Sequence, residues 1–389
     1  MSDPENVTIE RLASEGDGIG RLADGRVVFV PATAPGDVAR VRVIEEHPRF
    51  ARAELLHVTE PGPSRVEPRC PLVGTCGGCN WQHIGYDAQC AAKARRVADT
   101  FERVAKLVPP EAVECTPCPT PYGYRSRARV GFRDGVVGFR RVRSHRLCAA
   151  STCPVLVPAL DAALARLSDD PPGGDGELTL AAGEDGRVCV TGDGRDGVPI
   201  EIVSAPGRTA IQISPGVFFQ ANAQLRRPLA EAVHALAGTG ARALELFAGS
   251  GFFTPGLAER FGRVLVVESQ GRATRDLAAN LAAAGHTNVE VVTGLAERKL
   301  EAPALAGFAP DVVVLDPPRK GIDRVAADRI AMLGAPRIVY VACDPATQAR
   351  DAARMASHGY RLAQLRAFDL FPQTPHVESI ALLEKEERA

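Results

Sequence analysis

A cysteine near the end of the chain lies between a predicted strand and a predicted helix. Cys343 follows the apolar run 337–342, and Asp344 and Pro345 after it are typical of a helix N-cap and a first helical position. The unpaired amides and the dipole at a helix N-terminus favour the thiolate, which is the nucleophilic form of sulfur. Cys343 is therefore a candidate nucleophile.

Two acidic residues are predicted to lie at the same edge of a sheet. Asp316 follows the strand predicted over 311–315 and begins the turn Asp-Pro-Pro-Arg at 316–319. Ligands of open α/β sheets bind outside the carboxyl ends of the strands. Glu378 begins the last strand, which we predict to run opposite to the others, so it should lie beside Asp316 and Cys343. A carboxylate in that position is a candidate general base.

Glycines follow the first strand of the C-terminal region, predicted over 243–247. Gly249 and Gly251 let a ligand approach the backbone, and Glu268, 19 positions after Gly249, ends the next strand where a carboxylate can bind a ribose diol. The spacing does not match the dinucleotide motif G-x-G-x-x-G. The pattern Glu-x-Phe-x-Gly-x-Gly at 245–251 resembles the first motif of class I S-adenosylmethionine-dependent methyltransferases, which implies S-adenosylmethionine as cofactor.

Methylation at carbon 5 of a pyrimidine requires both candidate groups. Carbon 5 of uracil is too weak a nucleophile to attack a methyl sulfonium directly, but addition of a thiolate to carbon 6 places electron density on carbon 5. A base must then remove the carbon 5 proton so that the thiolate can leave. Cys343 and Glu378 have these two roles in our interpretation.

Three separated segments together resemble the RNA uracil-5 methyltransferase family. They are Ala-Cys-Asp-Pro-Ala-Thr at 342–347, Asp-Pro-Pro-Arg at 316–319 and His-Val-Glu-Ser at 376–379, and the likeness extends over nearly the whole chain. The resemblance implies Cys343 as nucleophile and Glu378 as base. The cofactor contacts that it and the glycine motif imply are Gln220, Phe247, Gly249, Gly251, Glu268 and Asp316.

Two positions depart from the pattern of that family. Asp344 stands where the family often has Asn, and Gly294 stands where it often has a polar residue. The first departure bears on the acidity of the thiol, and the second bears on adenine recognition. Neither removes a catalytic role.

Four cysteines form a second candidate site. Cys70, Cys76 and Cys79 are closely spaced and Cys153 lies far downstream, which is typical of metal ligands. Spacing alone leaves a four-cysteine zinc site and an iron-sulfur cluster open, and Cys148 is an alternative to Cys153. The resemblance to ribosomal RNA members of the family implies a 4Fe-4S cluster.

Arginines are concentrated between residues 125 and 146, where eight of them accompany one acid, Asp134. Alternation places Arg125, Arg127 and Arg129 on one face of a predicted strand, with a hairpin turn at Asp134. Such a face suits RNA phosphates, although a solvated arginine-rich surface is the alternative.

Composition limits the class of protein. The chain has 389 residues and a net charge of -1, so a polyanion partner must meet a local basic patch. No uncharged apolar stretch has membrane-spanning length, so we expect no membrane contact and a cytoplasmic location. Ten cysteines then favour ligands, nucleophiles or core thiols over disulfides. We expect a monomer.

We predict an α/β fold with three domains. Residues 1–60 resemble a TRAM domain, an OB-like β-barrel that binds RNA; 61–205 form a small central α+β iron-sulfur domain with a basic hairpin; 206–389 form a Rossmann-like class I methyltransferase domain. The predicted substrate is a uridine of 23S ribosomal RNA. Transfer RNA and a non-catalytic iron-sulfur RNA-binding protein are the alternatives, whereas amino-group methylation is disfavoured by Arg319, which replaces a base-stacking aromatic residue.

Overall fold

The computed structural model describes residues 3–192, 194–203, 210–301 and 307–386. Its strands form three large sheets and one two-stranded sheet. Within these ranges, no helix combines the length and the apolar character that crossing a membrane requires. The predicted boundary between residues 205 and 206 lies outside the described residues.

The N-terminal strands form a curled six-stranded sheet in the order β1-β5-β6-β4-β3-β2. The strands are β1 (Glu5–Thr8), β2 (Arg11–Leu12), β3 (Gly18–Arg21), β4 (Val27–Val30), β5 (Val38–Glu46) and β6 (Phe50–Glu60). Alternate side chains, such as the fully buried Val28 and Val30, fill its interior. The predicted N-terminal β-domain is confirmed. The sequence pattern does not predict β3, because its two glycines have low strand propensity.

The next helix belongs by its packing to the C-terminal sheet. Helix α1 (Tyr86–Thr100) continues as a π-helical turn at Phe101–Ala105, and β7 (Cys115–Thr116) pairs with the edge of the C-terminal sheet. The buried face of α1 includes Lys93 and Val97. This segment therefore packs against the C-terminal sheet, whose parallel strands begin more than 100 residues later in the chain.

A five-stranded antiparallel sheet occupies the middle of the chain, in the order β10-β9-β8-β11-β12. Its elements are β8 (Arg127–Arg133), β9 (Val136–Arg140), β10 (Leu147–Ala149), α2 (Pro158–Asp169), β11 (Gly176–Ala182) and β12 (Val188–Thr191). The hairpin between β8 and β9 turns at Asp134 and Gly135, whose φ angles are 49° and 75°. Positive φ at both central residues is the geometry of a type I′ turn, as the sequence predicts.

The C-terminal half is a doubly wound sheet. After the hairpin of β13 (Ile200–Val203) and β14 (Ala210–Ile213), helices cover a sheet in the order β17-β16-β15-β18-β19-β21-β20-β7. Its strands are β15 (Gly240–Leu246), β16 (Phe261–Glu268), β17 (Val289–Thr293), β18 (Val312–Leu315), β19 (Arg337–Ala342), β20 (Tyr360–Phe368) and β21 (Glu378–Lys385). Its helices are α3 (Arg226–Ala237), α4 (Thr254–Ala258), α5 (Gly271–Ala283), α6 (Ala296–Lys299), α7 (Arg324–Met332) and α8 (Pro345–Ala356).

The strand directions bring the predicted chemistry to one edge. Strands β15 to β19 run parallel, and β21 lies antiparallel to β19 with Ser379 opposite Ala342. Cys343 follows β19 directly, and Glu378 is the first residue of β21. The two residues therefore meet at the carboxyl edge of the parallel strands.

Candidate active site

One large cavity, of about 1360 Å³, opens at this edge. Cys343, Asp316 and Glu378 all line it. Asp344 caps helix α8, since its Oδ1 accepts a hydrogen bond from the amide of Ala346 at 2.9 Å. The helix start predicted after Cys343 is confirmed, and it holds the thiol at the cavity wall.

The thiol of Cys343 is less acidic than its place before a helix predicts. Burial, together with the carboxyl groups of Glu378 and Asp316, raises its pKa to about 12, while the charge of Arg319 opposes this effect. Desolvation and nearby negative charge both disfavour a thiolate. Loss of the thiol proton therefore depends on charges that change when substrates enter the cavity.

The two carboxyl groups also hold their protons strongly. Burial raises the pKa of Glu378 well above its ordinary value, and the charge of Asp316 adds to this effect. Burial likewise raises the pKa of Asp316 to about 7, although a hydrogen bond from Gln220 opposes the change. A group with a raised pKa is a stronger base once it is ionised, so this pair suits proton transfer.

Arg319 and His376 also line the cavity that contains the thiol. Nη2 of Arg319 lies 3.5 Å from Nδ1 of His376. Burial, together with the nearby charges of Arg319 and Arg96, lowers the pKa of His376 to about 4. The imidazole is therefore neutral near pH 7.

The loop before Glu378 is anchored by helix α1. The buried Lys93 forms an ion pair with Asp369, and its Nζ also donates to the carbonyl of Phe371 at 3.0 Å. Gln89 accepts from the amide of Gln373 at 2.9 Å. Nothing in the sequence around Lys93 distinguishes it from a surface lysine, so sequence reasoning misses this support.

The glycine turn shapes the next part of the cavity. Phe247 adopts a φ of 62°, which is unusual for a residue other than glycine, and a side chain at Gly249 would point into open space. Glu268 accepts hydrogen bonds from the amides of Gly249 at 2.9 Å and Gln270 at 2.7 Å. The backbone thus fixes a carboxylate at the cavity wall.

The turn also offers polar atoms to a ligand. The hydroxyl of Ser250 is buried and has no hydrogen-bond partner among the described residues, although Ser250 lines the cavity. An unpaired buried polar atom is costly, so its presence fits a polar ligand at this turn. Gln220 reaches the same region and donates to Asp316 at 3.3 Å.

Five of the six predicted cofactor residues line the cavity, and one does not. Gln220, Phe247, Gly249, Glu268 and Asp316 line the cavity. Gly251 does not, because it faces Leu277, where any side chain would clash. Its role is to allow close packing of the turn on helix α5, with a φ of 91°.

Gly294 lies at the end of β17 and has a φ of 152°, and a side chain there would meet Lys299. The backbone itself therefore requires glycine. Leu295, about half exposed, continues the cavity wall beside it. Position 294 itself therefore offers no polar side chain to the cavity, although Glu297, three residues further on, lines the cavity as well.

Four thiols line another part of the same cavity. They belong to Cys70, Cys76, Cys79 and Cys153. Burial, together with the neighbouring thiols, raises the pKa of Cys79 to about 11 and that of Cys153 to about 12. Even so, no group of three or more His, Cys, Asp or Glu side chains that can hold a metal ion occurs in the described part of the chain.

Basic side chains line a further part of the cavity. Arg125, Arg127 and Arg129 line the cavity together, as their alternation predicts. Arg129 lies 3.8 Å from Glu177, whereas Arg127 contacts the exposed ring of Phe218 at 5.4 Å. The cavity thus joins a thiol-carboxyl centre to a cationic surface.

Comparisons with known proteins agree with this architecture. Residues 205–386 match the family described as tRNA (Uracil-5-)-methyltransferase, and residues 5–56 match the TRAM domain. The chain is 34% identical to the 23S rRNA (uracil(1939)-C(5))-methyltransferase RlmD of Pseudomonas putida, covering 98% of this chain and 93% of that protein. It is 35% identical to an uncharacterized RNA methyltransferase of Thermosynechococcus vestitus, covering 96% of each.

A solved structure has the same fold. It is the Pyrococcus abyssi tRNA (uracil-54, C5)-methyltransferase in complex with S-adenosyl-L-homocysteine, with a TM-score of 0.76 and 24% identity, covering 97% of this chain and all of that one. The predicted class I methyltransferase fold with an N-terminal TRAM domain is confirmed. The chain belongs to the RNA uracil-5 methyltransferase family, whose enzymes methylate carbon 5 of uracil in RNA with S-adenosylmethionine as methyl donor.

Proposed function

We propose that this enzyme methylates carbon 5 of a uridine in 23S ribosomal RNA through a covalent adduct with Cys343. The main support for this mechanism is that Cys343 and Glu378 lie close together on the wall of one cavity, which the glycine turn also lines. The ribosomal substrate is supported by relatives with that printed activity, which are about one third identical over nearly the whole chain.

Cys343 begins the reaction in this proposal. Its thiolate attacks carbon 6 of the uracil, and the electrons of the C5–C6 double bond move onto carbon 5 and oxygen 4. Arg319 favours the thiolate, because its positive charge lowers the pKa of Cys343. Bound S-adenosylmethionine would supply the methyl group, which carbon 5 would take with its electron pair while the sulfonium leaves as the neutral thioether S-adenosylhomocysteine.

Glu378 completes the reaction. Its ionised carboxylate removes the proton from carbon 5, the electron pair restores the C5–C6 double bond, and the sulfur leaves carbon 6. The buried setting of Glu378 makes its carboxylate a strong base, because burial favours the protonated form. Glu378 is the first residue of β21, and the pairing of Ser379 with Ala342 places it next to Cys343.

The cofactor would be held by the residues around the glycine turn. Glu268 has an oriented carboxylate for the ribose diol, and Gly249 leaves open space beside it. Phe247, Gln220 and Asp316 line the cavity between this turn and Cys343. The unpaired hydroxyl of Ser250 supports a polar ligand in this position.

We also propose a 4Fe-4S cluster on Cys70, Cys76, Cys79 and Cys153. The support is chemical: four unpaired thiols share one wall, and those with raised pKa values need a cationic partner to ionise. Cys148 is buried and close enough to Cys76 to affect its pKa, but it does not line this wall. We therefore favour Cys153 as the fourth ligand.

Replacement of Cys79 by Ser is expected to remove the cluster. Protein purified without oxygen should contain about four iron and four sulfide per chain in the wild type and little of either in the variant, because a thiolate ligand is lost. Cys189→Ser, which changes a cysteine outside the cavity, is the control. A zinc content of one per chain without iron would contradict the cluster.

The proposal also includes the domain boundaries, the cellular location and the oligomeric state. We propose the TRAM domain at 1–60, the cluster-bearing region at 61–205 and the methyltransferase domain at 206–389. The free state of all ten cysteines supports a reducing, cytoplasmic location. We also propose that the enzyme acts as a monomer.

The substrate can be tested with 5-fluorouridine. Wild-type enzyme and S-adenosylmethionine are incubated with large-subunit ribosomal RNA transcripts containing the analogue, and in parallel with transfer RNA transcripts. Fluorine cannot leave as a proton, so the reaction should stop as a denaturation-stable adduct on ribosomal RNA, and digestion should locate the uridine. An adduct with transfer RNA alone would overturn the ribosomal substrate, and no adduct with either RNA would overturn the thiol mechanism.

A further inference from the structure

A buried arginine at the start of helix α3 has no part in the mechanism above. Arg226 is only 1% exposed. Burial lowers its pKa to about 10, although the carboxylate of Glu184 opposes this effect, so the guanidinium group stays protonated near pH 7. A buried positive charge is costly to desolvate, and it persists where several groups accept its hydrogen bonds.

Arg226 uses all three of its side-chain nitrogen atoms. Its Nε donates to the backbone carbonyl of Gln220 at 3.0 Å, and its Nη2 donates to the hydroxyl oxygen of Ser126 at 2.6 Å. Its Nη1 pairs with the carboxylate of Glu184, and the guanidinium carbon lies 5.4 Å from the ring centroid of Phe219. One side chain thus joins α3 to residues 6, 42 and 100 positions earlier in the chain.

The segment 217–221 carries Gln220 to the thiol cavity. Most of its side chains are buried, yet it forms neither a helix nor a strand. Backbone carbonyls of a buried irregular segment need hydrogen-bond partners, and Arg226 supplies one to Gln220. The side chain of Gln220 in turn donates to Asp316 at 3.3 Å. Arg226 therefore fixes the backbone from which Gln220 reaches into the cavity.

The segment around Ser126 carries part of the basic wall. Ser126 directly precedes β8 and lies between Arg125 and Arg127, which both line the thiol cavity. Ser126 is buried and the two arginines are partly exposed, as alternation along an extended chain requires. The amide of Ser126 also donates to the carbonyl of Ala221 at 2.8 Å. The two segments are thus joined by a backbone contact and by the guanidinium group.

Helix α3 does not need this charge for its packing. Beyond the first turn its buried face is largely apolar, and Leu229, Ala230 and Val233 belong to a hydrophobic core that covers the sheet. Exchange of a buried ion pair for apolar side chains is often neutral for stability. A buried arginine that contacts both segments therefore indicates a role in the site rather than in the stability of the helix.

We propose that Arg226 is a positioning residue that couples the cofactor end of the cavity to its basic wall. It holds Gln220 toward the cofactor and Ser126 beneath the arginines that face RNA phosphates. Both ligands need the same hydrogen-bond network to be ordered, so the ligand that binds first makes the other bind more tightly. The inference rests on the proposed function, which assigns Gln220 to the cofactor and the basic wall to RNA.

The affinity for S-adenosylhomocysteine, measured with and without RNA, tests this role. The RNA is a saturating fragment of large-subunit ribosomal RNA, and the coupling factor is the ratio of the two Kd values. In the wild type, RNA should lower the Kd about tenfold, within the usual range for coupling between two sites. Arg226→Met keeps the length of the side chain but removes its donors. It should weaken binding without RNA, because the Gln220 carbonyl loses its partner, and RNA should no longer change the affinity.

Ser126→Ala separates the coupling from the positioning of Gln220. It removes the hydroxyl that accepts from Nη2, but it leaves the contact of Nε with Gln220 and the backbone contact with Ala221. Without RNA this variant should bind S-adenosylhomocysteine like the wild type, whereas its coupling factor should be several-fold smaller. A merely structural role of Arg226 would leave the coupling factor unchanged.

Arg227→Met is the matched control. Arg227 is the next residue of α3, but its side chain is 66% exposed and pairs with Glu231 at 2.7 Å, so affinity and coupling should equal those of the wild type.

Coupling factors of Arg226→Met and Ser126→Ala equal to that of the control would overturn the role of Arg226. A wild type in which RNA leaves the affinity for S-adenosylhomocysteine unchanged would overturn it as well. Failure of the proposed substrate is a different result, in which the wild type leaves ribosomal RNA unmethylated. The same series is then made with the RNA that the wild type does methylate.

Discussion

Glu378→Gln is expected to trap the enzyme as a covalent complex with methylated RNA. Glutamine has the shape of the neutral carboxyl group but cannot accept the carbon 5 proton. Cys343 can still add to carbon 6 and carbon 5 can still be methylated, whereas elimination of the sulfur requires loss of that proton. Turnover should fall by about 10² to 10⁴-fold, the usual contribution of a general base.

The trapped complex has a distinct signature. A denaturing gel should show a protein-RNA band with ordinary uridine in the RNA, and mass analysis of the digested band should find a nucleotide carrying the new methyl group on the Cys343 peptide. The folded protein should be at least as stable as the wild type, because an amide replaces a carboxyl group that burial already keeps protonated.

Glu384→Gln is the matched control. Glu384 lies on the same strand, β21, but near its other end, where it pairs with Arg361 outside the thiol cavity. This variant should turn over normally and should form no stable band. Normal turnover by Glu378→Gln, without a trapped band, would exclude Glu378 as the base.

The position of Glu378 can be predicted from the sequence because it depends on the direction of the strands. Apolar runs alternating with helices predict a parallel sheet, and a final hairpin predicts an antiparallel last strand. Those two patterns are enough to bring Glu378 beside Cys343, as the pairing of Ser379 with Ala342 shows. The glycine turn and Glu268 are predictable for the same reason, since both follow parallel strands.

Other features depend on contacts between distant segments. Lys93 and Asp369 are separated by 276 positions, and no local pattern indicates that they form a buried pair. The acidity of Cys343 is a related case. The helix start is local and predictable, but the burial and the two carboxyl groups that raise its pKa come from the assembled sheet.

We expect methylation to depend strictly on Cys343. Cys343→Ala removes the atom that attacks carbon 6 in the proposed mechanism, and the other thiols of this cavity, those of Cys70, Cys76, Cys79 and Cys153, are the proposed ligands of the cluster. Methylation should therefore fall by a factor on the order of 10⁶, as for loss of a nucleophile in other enzymes. Tritium release from [5-³H]uridine in ribosomal RNA measures this loss.

Binding separates the chemical role of Cys343 from a structural one. Its thiol lies at the cavity wall outside β19, so Cys343→Ala should bind S-adenosylmethionine and RNA with affinities close to those of the wild type. Cys343→Ser keeps the size of the side chain and should be equally inactive, because an alcohol at this buried site is far harder to ionise than a thiol. Adding Cys343→Ala to Glu378→Gln should abolish the trapped band. A band that persists in the double variant would assign the nucleophile to another residue, and normal tritium release by Cys343→Ala would exclude covalent catalysis by this thiol.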